Sequence, residues 1–230
     1  MGASRKKAGF TLVELAVVVA LIGIFAAMAI PNISQWTAHQ RLKGAARDVG
    51  NVFTIARSQA IRTGNNHVVF FMAPAISTQD PRGNDLLNQN GVPSAVLVLN
   101  DGPAAGANCS IDLGEVVTSV PLTPGLNWGV TNATLRAPLD TALPPITDGL
   151  TFTNPISPGN ARSWVLFRRD GVPVGFSGDV LTGCGTIGGT GTGGGTGYVT
   201  DGNRDYAVVL TPLGGVRLHA WDETRGQWTN

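Results

Sequence analysis

The stretch KKAGFTLVELAVVVALIGIFAAMAIP, residues 6–31, decides how the rest of the chain is read. From Leu12 to Ile30 it is apolar except for one carboxylate, Glu14. As a helix rising about 1.5 Å per residue, that run extends about 28 Å, close to the hydrocarbon thickness of a bilayer. Arg5, Lys6 and Lys7 stand directly before it, which keeps the amino terminus on the cytoplasmic side. A secretory signal would have a shorter apolar region followed by a small-residue cleavage site. Here the small residues, Ala8-Gly9, precede the apolar run. A peptidase cutting after Gly9 would leave the helix on the mature chain, with Phe10 as its first residue and Glu14 as its fifth. An acid inside hydrocarbon is costly and by default marks function; the bland alternative is a carboxylate that snorkels to the headgroups. Pro31 lacks an N–H and its ring clashes with the preceding turn, so a kink or an interruption is expected there. Gly23 adds local looseness.

Beyond Pro31 the pattern stays helical. Leu42, Ala45, Ala46, Val49, Val52, Phe53, Ala56 and Ala60 recur at steps of three and four, an amphipathic stripe. RTGNN, residues 62–66, ends it. One helix of some fifty residues is therefore expected, its second half laying an apolar face on a sheet. The remainder reads as β. The strand candidates are residues 67–73, 95–100, 115–122, 163–169, 172–178, 205–211 and 215–221, rich in β-branched and aromatic side chains. Hairpins are expected at Asp170-Gly171 and near Gly214-Gly215. Residues 74–94 and 101–114 lack apolar periodicity and read as long surface loops. GCGTIGGTGTGGGTG, residues 183–197, is Gly/Thr low complexity, flexible unless Cys184 orders it. The fold class is α+β: a long amino-terminal helix, membrane half plus amphipathic half, packed on an antiparallel β-rich head of two small sheets.

Charge and composition exclude more than they assign. A net charge of +1 gives no bulk attraction for nucleic acid. Arg41, Lys43, Arg47, Arg57 and Arg62 cluster after the apolar run, against one acid, Asp48; beyond residue 63 acids outnumber bases. Cys109 and Cys184 suggest one disulfide in an exported domain, the alternative being two buried thiols. The histidines, His39, His67 and His219, are not at ligand spacing around them, so no metal site is expected. GCGTIG fits the dinucleotide-binding glycine pattern, but more glycine follows where a helix is required. GFSGD, residues 175–179, lacks the last glycine of a nucleophile elbow, which leaves Ser177 as a turn residue. Asp201 and Asp205 read as a solvated turn rather than a calcium loop. Trp36 is the best interface anchor; the other tryptophans default to core. No cofactor and no catalytic residue is expected.

The segment GFTLVEL followed by an apolar helix with Pro31 resembles the type IV pilin and pseudopilin family. The resemblance implies a leader, residues 1–9, removed by a prepilin peptidase after Gly9; an N-methylated Phe10; and a membrane or filament-core helix over 10–31. An amphipathic continuation over 32–64 and a periplasmic β-rich head over 65–230 follow. It also implies that Glu14 pairs with the terminal ammonium of a neighbouring subunit as a filament grows. AARDVGNVFTIARSQAIRTGN, residues 45–65, and the closing hairpins are similar to the GspH/FimT group of minor pilins and pseudopilins; the middle of the chain is not. The implied function is a structural, non-enzymatic subunit that primes or caps a type IV pilus, stored in the inner membrane before assembly. The alternatives are a type II secretion pseudopilus tip subunit and a DNA-binding pilin of natural transformation. The implied partners are other pilin or pseudopilin subunits, the inner membrane, the peptidase, assembly platform proteins and a tip adhesin. FimT-type members contact DNA through a GRxR-like phrase. Here that place reads GGVRLHAW, residues 214–221, with glycine where the first arginine would be. Only Arg217, and Arg225 beside Asp222 and Glu223, remain, so DNA is not an expected partner.

Overall fold

The stripe of small and branched apolar residues does what its spacing predicts. In the computed structural model a single helix, α1, runs Leu12–Thr63. It ends at Gly64, whose φ of 71° is the left-handed conformation that closes a helix, and whose N–H reaches the Ala60 carbonyl at 3.0 Å. The structure describes residues 11–102, 107–112, 114–121 and 126–229, with the side chains of 28–35 outside the description. The chain divides into two units, residues 1–41 and 42–230. In the second unit Leu42, Ala46, Val49, Val52, Phe53, Ala56 and Ala60 are all buried.

Twelve strands follow among the described residues: β1 His67–Phe71, β2 Ser94–Asn100, β3 Val116–Pro121, β4 Asn127–Trp128, β5 Thr153–Asn154, β6 Ser157–Ala161, β7 Trp164–Phe167, β8 Pro173–Val174, β9 Gly195–Thr200, β10 Asp205–Leu210, β11 Val216–Asp222 and β12 Gln227–Thr229. They form two five-stranded antiparallel sheets, ordered β3-β2-β1-β7-β8 and β12-β11-β10-β9-β4, and the small pair β5-β6. The α+β class is thus as the sequence implies. Phe53 of α1 is the hub of the main core. Its ring centroid lies 5.8 Å from Phe71 of β1, 5.9 Å from Phe152 and 6.4 Å from Phe167 of β7. Val199, Tyr206, Val208 and Leu210 of the second sheet close the same cluster.

Both sheets are also buried on their outer faces, which is why β1, β7, β9 and β10 show no alternation of buried and exposed residues. Segments 74–94 and 101–114, expected to be surface loops, supply that cover for the first sheet. Leu86 and Cys109 are fully buried against Val68, Phe70, Leu97, Leu99 and Leu166. Residues 129–149 cover the other sheet through Ala137, Val130 and Ile146 over Tyr198 and Val209. Period-free segments of this kind still carry single apolar anchors, which periodicity does not detect.

The tract 183–197 is ordered, with Cys184 bonded to Cys109 as its reading required, and its last residues enter β9, a strand paired on both sides. Two of its glycines, both in β9, are there because rings sit on them: a Cβ on Gly195 would lie 2.6 Å from Phe152 Cδ1, and one on Gly197 would lie 3.2 Å from Trp128 Cζ3. One further expectation is corrected, at Asp205. Asp205 is no solvated turn residue. It is 1% exposed and accepts the N–H groups of Thr131, Asn132 and Ala133 at 2.7–2.9 Å, clamping the covering segment to β10. Both predicted hairpins are present. Arg168 N–H reaches Val172 O at 3.0 Å around Gly171, and Thr211 N–H reaches Gly215 O at 2.8 Å around Gly214.

Candidate assembly segment

Helix α1 opens on a reciprocal cap. The Glu14 N–H donates to Thr11 Oγ1 at 3.2 Å, while the Thr11 N–H and hydroxyl both donate to Glu14 Oε2 at 3.3 Å. The first N–H groups of a helix have no acceptor within it, and a threonine followed three residues later by a glutamate supplies two. The carboxylate also faces the positive end of the helix dipole. This cap is a local reason for Glu14 that weighing the acid only against snorkelling misses. Its signal, Thr11-x-x-Glu14, is in the sequence.

Around that cap the surface is oily. Leu12 is 85% exposed and Phe25 70%, with Val13, Leu15, Val19 and Ile22 also well exposed. Apolar surface of this extent requires cover by lipid or by other chains. Glu14 is exposed and forms no ion pair among the described residues. Its negative charge is therefore available to a cation brought by a neighbour. Gly9 and Phe10 lie outside the described residues. Among the described residues no helix is long and apolar enough to cross a membrane; the expected span runs to Ile30, and side chains 28–35 are not described. The helix continues through position 31 without interruption. Pro31 removes one hydrogen bond, which the good helix-forming sequence on either side outweighs.

The carboxy-terminal half of α1 is locked into the head. Arg57 Nη1 donates to the Gly214 carbonyl at 3.1 Å. Gly171, at φ 76°, lets the β7–β8 turn approach so closely that a Cβ there would lie 2.7 Å from Ile61 Cδ1. The two predicted turns thus grip the helix. Cys109 and Cys184 are joined in a disulfide.

The arginines of the DNA alternative are not brought together into one patch. Arg217, on β11 opposite Val209, lines a surface cavity of about 590 Å³ with Leu139, His219 and Trp228. Arg225 lies beyond the end of β11 and pairs with Asp222 at 3.6 Å. Trp36 is 64% exposed, as an interface residue would be, whereas Trp164 is buried and stacks on Phe176.

Comparison with known proteins finds similarity over a minor part of the chain. The family described as "Prokaryotic N-terminal methylation motif" matches residues 4–30. Two fimbrial proteins of Pseudomonas aeruginosa are each 44% identical over 54 residues, 24% of this chain and 35% of the relative. The type IV major pilin protein PilA of Myxococcus xanthus (strain DK1622) is 44% identical over 50 residues, 22% of this chain and 23% of the relative. The chain thus spans about a third or less of the length of the curated relatives it matches. No solved structure matches. Methylation motif, capped acidic helix start and apolar run coincide in one segment, and in that segment the chain is similar to type IV pilins.

Proposed function

We propose that the chain is a minor pilin of the GspH/FimT type: held in the inner membrane with its head in the periplasm, trimmed after Gly9, methylated on Phe10, and added to a type IV pilus, which it primes or caps. Its work is assembly, without bond chemistry of its own. The observation that carries this reading is the capped Glu14, without an ion pair among the described residues, on an apolar helix start inside the matched methylation motif. A charge pair at Glu14 gains most where water is absent, between helices that have exchanged lipid for one another. The relatives being fimbrial and pilin proteins favours a pilus over a secretion pseudopilus. The peptidase, platform proteins and a tip adhesin are the partners such a subunit meets. With Arg225 tied to Asp222 and the covering segment beside Arg217 apolar, DNA binding finds little support.

The test is the mass of the amino-terminal peptide in sheared filaments. It should begin at Phe10 and carry one added methyl group, and Gly9→Leu should leave the full-length chain in the membrane. A mature-sized chain from Gly9→Leu would refute the cleavage site. Absence of the chain from filaments whose other subunits are processed would refute the assembly role.

A further inference from the structure

The Cys109–Cys184 disulfide is built against a buried acid. A carboxylate oxygen of Asp101 and the two sulfurs lie within 4.8 Å of one another. Asp101 follows β2 directly and is 1% exposed. Its Oδ1 accepts the N–H groups of Asn108 at 3.0 Å and Cys109 at 2.8 Å. Those bonds hold Cys109 at a φ of 51°, in the left-handed region that few residues with a side chain adopt. The other oxygen, Oδ2, is buried without any partner. Cys109 is fully buried and Cys184 half-buried, so Cys184 is the more open side of the bond. The two segments are pressed together beside it: a Cβ on Gly183 would stand 1.7 Å from the Asn108 carbonyl oxygen. Four other acids lie near by. Asp112 is exposed and holds Asn108 Nδ2 at 2.6 Å, Glu115 stands directly before β3, Asp80 accepts the Ile111 N–H at 2.8 Å, and Asp179 closes the turn before Cys184. No described arginine or lysine forms an ion pair with any of the five. Burial raises the Asp101 carboxyl pKa against its two N–H bonds, and the charge of Asp112 raises it further.

A disulfide forms through a thiolate, and it opens by releasing one. At Cys109 water is excluded, so the proton of that thiol needs an acceptor inside the protein. The bare Oδ2 of Asp101 has room for it, since its two N–H bonds occupy Oδ1. We propose that Asp101 is the proton carrier of the Cys109–Cys184 disulfide, taking the Cys109 proton as the bond closes and returning it as the bond opens. In closing, a disulfide oxidant joins Cys184 as a mixed disulfide and releases its first thiol. Cys109 then passes its proton to Asp101, and its sulfur attacks Cys184 Sγ, expelling the second oxidant thiol. The chain loses two electrons and the oxidant gains two. The two thiol protons of the chain end on the two oxidant thiols, one of them by way of Asp101. In opening, a thiol or phosphine reductant attacks Cys184 Sγ, and the Cys109 sulfur leaves with the Asp101 proton.

The test is the rate at which tris(2-carboxyethyl)phosphine opens the bond in the folded, oxidised full chain in detergent, with released thiols alkylated and counted by mass. The phosphine takes up the two electrons and ends as its oxide, with oxygen from water. Wild type is compared with Asp101→Asn, whose amide oxygen still accepts the two N–H bonds but which carries no acid proton. The ratio of wild-type to variant rate should rise by about tenfold or more between about pH 8 and pH 4, as the carboxyl takes up its proton. At the upper end the Asp101 charge opposes a leaving thiolate, so there the variant should be the faster. Glu115→Gln removes a neighbouring charge but not the carrier, and its rise over the same window should match wild type. A ratio independent of pH, or an Asp101→Asn chain faster at every pH, would overturn the proposal. Near-ultraviolet circular dichroism reports the fold. Should Asp101→Asn not fold, the wild-type rate is divided by that of bis(2-hydroxyethyl) disulfide, which has no acid beside it. That ratio should also rise as the pH falls, and a flat one would overturn the proposal. Neither result would touch the pilin reading, which rests on residues 4–30.

Discussion

Replacing Glu14 by Gln separates the two jobs the side chain can do. In the isolated chain Glu14 Oε2 caps the helix with Thr11. A glutamine oxygen can accept the same two hydrogen bonds, so the cap survives in Glu14→Gln and is lost in Glu14→Ala, at a cost of about 1 kcal/mol. Charge is lost in both. In the assembled filament, opposite unit charges about 4 Å apart at an effective dielectric constant of about 20 attract by about 4 kcal/mol, and removing one partner strands the other. If pairing is the function, Gln should be nearly as defective as Ala, with filament incorporation down by about 10² to 10³ relative to wild type. If capping is the function, Gln should incorporate within about threefold of wild type and Ala should fall by less than about tenfold, since about 1 kcal/mol is worth less than tenfold. The assay is the ratio of tagged chain in sheared filaments to chain in the membrane, with resistance to carbonate extraction confirming equal insertion. Normal incorporation of Glu14→Gln would refute the charge-pair reasoning.

Three further outcomes follow from the head. Gly195→Ala drives a methyl into Phe152 Cδ1 at 2.6 Å and should destabilise by about 1–3 kcal/mol, read as a lower urea midpoint with an unchanged slope. Asp205→Ala leaves three N–H groups without their acceptor and should cost about 2–4 kcal/mol, with amide exchange accelerating first at Thr131–Ala133. His67 is buried, with Nδ1 3.3 Å from the Asn65 carbonyl. Burial lowers its pKa from 6.5, that hydrogen bond opposes the shift, and Arg62 reinforces it. The folded chain therefore binds fewer protons than the unfolded chain between the lowered value and about 6.5. This share of stability is present above about pH 6.5 and is lost as the pH falls through that window, so His67→Gln should flatten the decline in urea midpoint between about pH 7 and pH 5.

How far residues announce themselves depends on how local their cause is. The α1 stripe is legible because burial of one helical face imposes a period on adjacent residues, and Leu42, Val49, Phe53 and Ala60 obey it. The turns at Asp170-Gly171 and Gly214-Gly215 are legible because left-handed backbone selects glycine at a fixed place between strands. Strand β9 is not legible in GTGYVT. Its glycines answer to Phe152 and Trp128, far away in sequence, and without those rings they look like linker. Asp205 is opaque for the same reason, since its partners lie some seventy residues earlier. The cover of the outer sheet faces rests on isolated anchors such as Leu86, which leave no period. In the assembly segment the methylation motif and Glu14 are plain, while the Thr11 cap is a four-residue signal overshadowed by the apolar run behind it.

The position of the Glu14 carboxylate in an assembled filament tests the account most directly. A cryo-electron microscopy map of filaments containing the chain, at side-chain resolution, should place a Glu14 oxygen within about 4 Å of the Phe10 terminal nitrogen of an adjoining subunit, the reach of an ion pair. A Glu14 still bonded only to its own Thr11, with no positive nitrogen of another chain in reach, would contradict it.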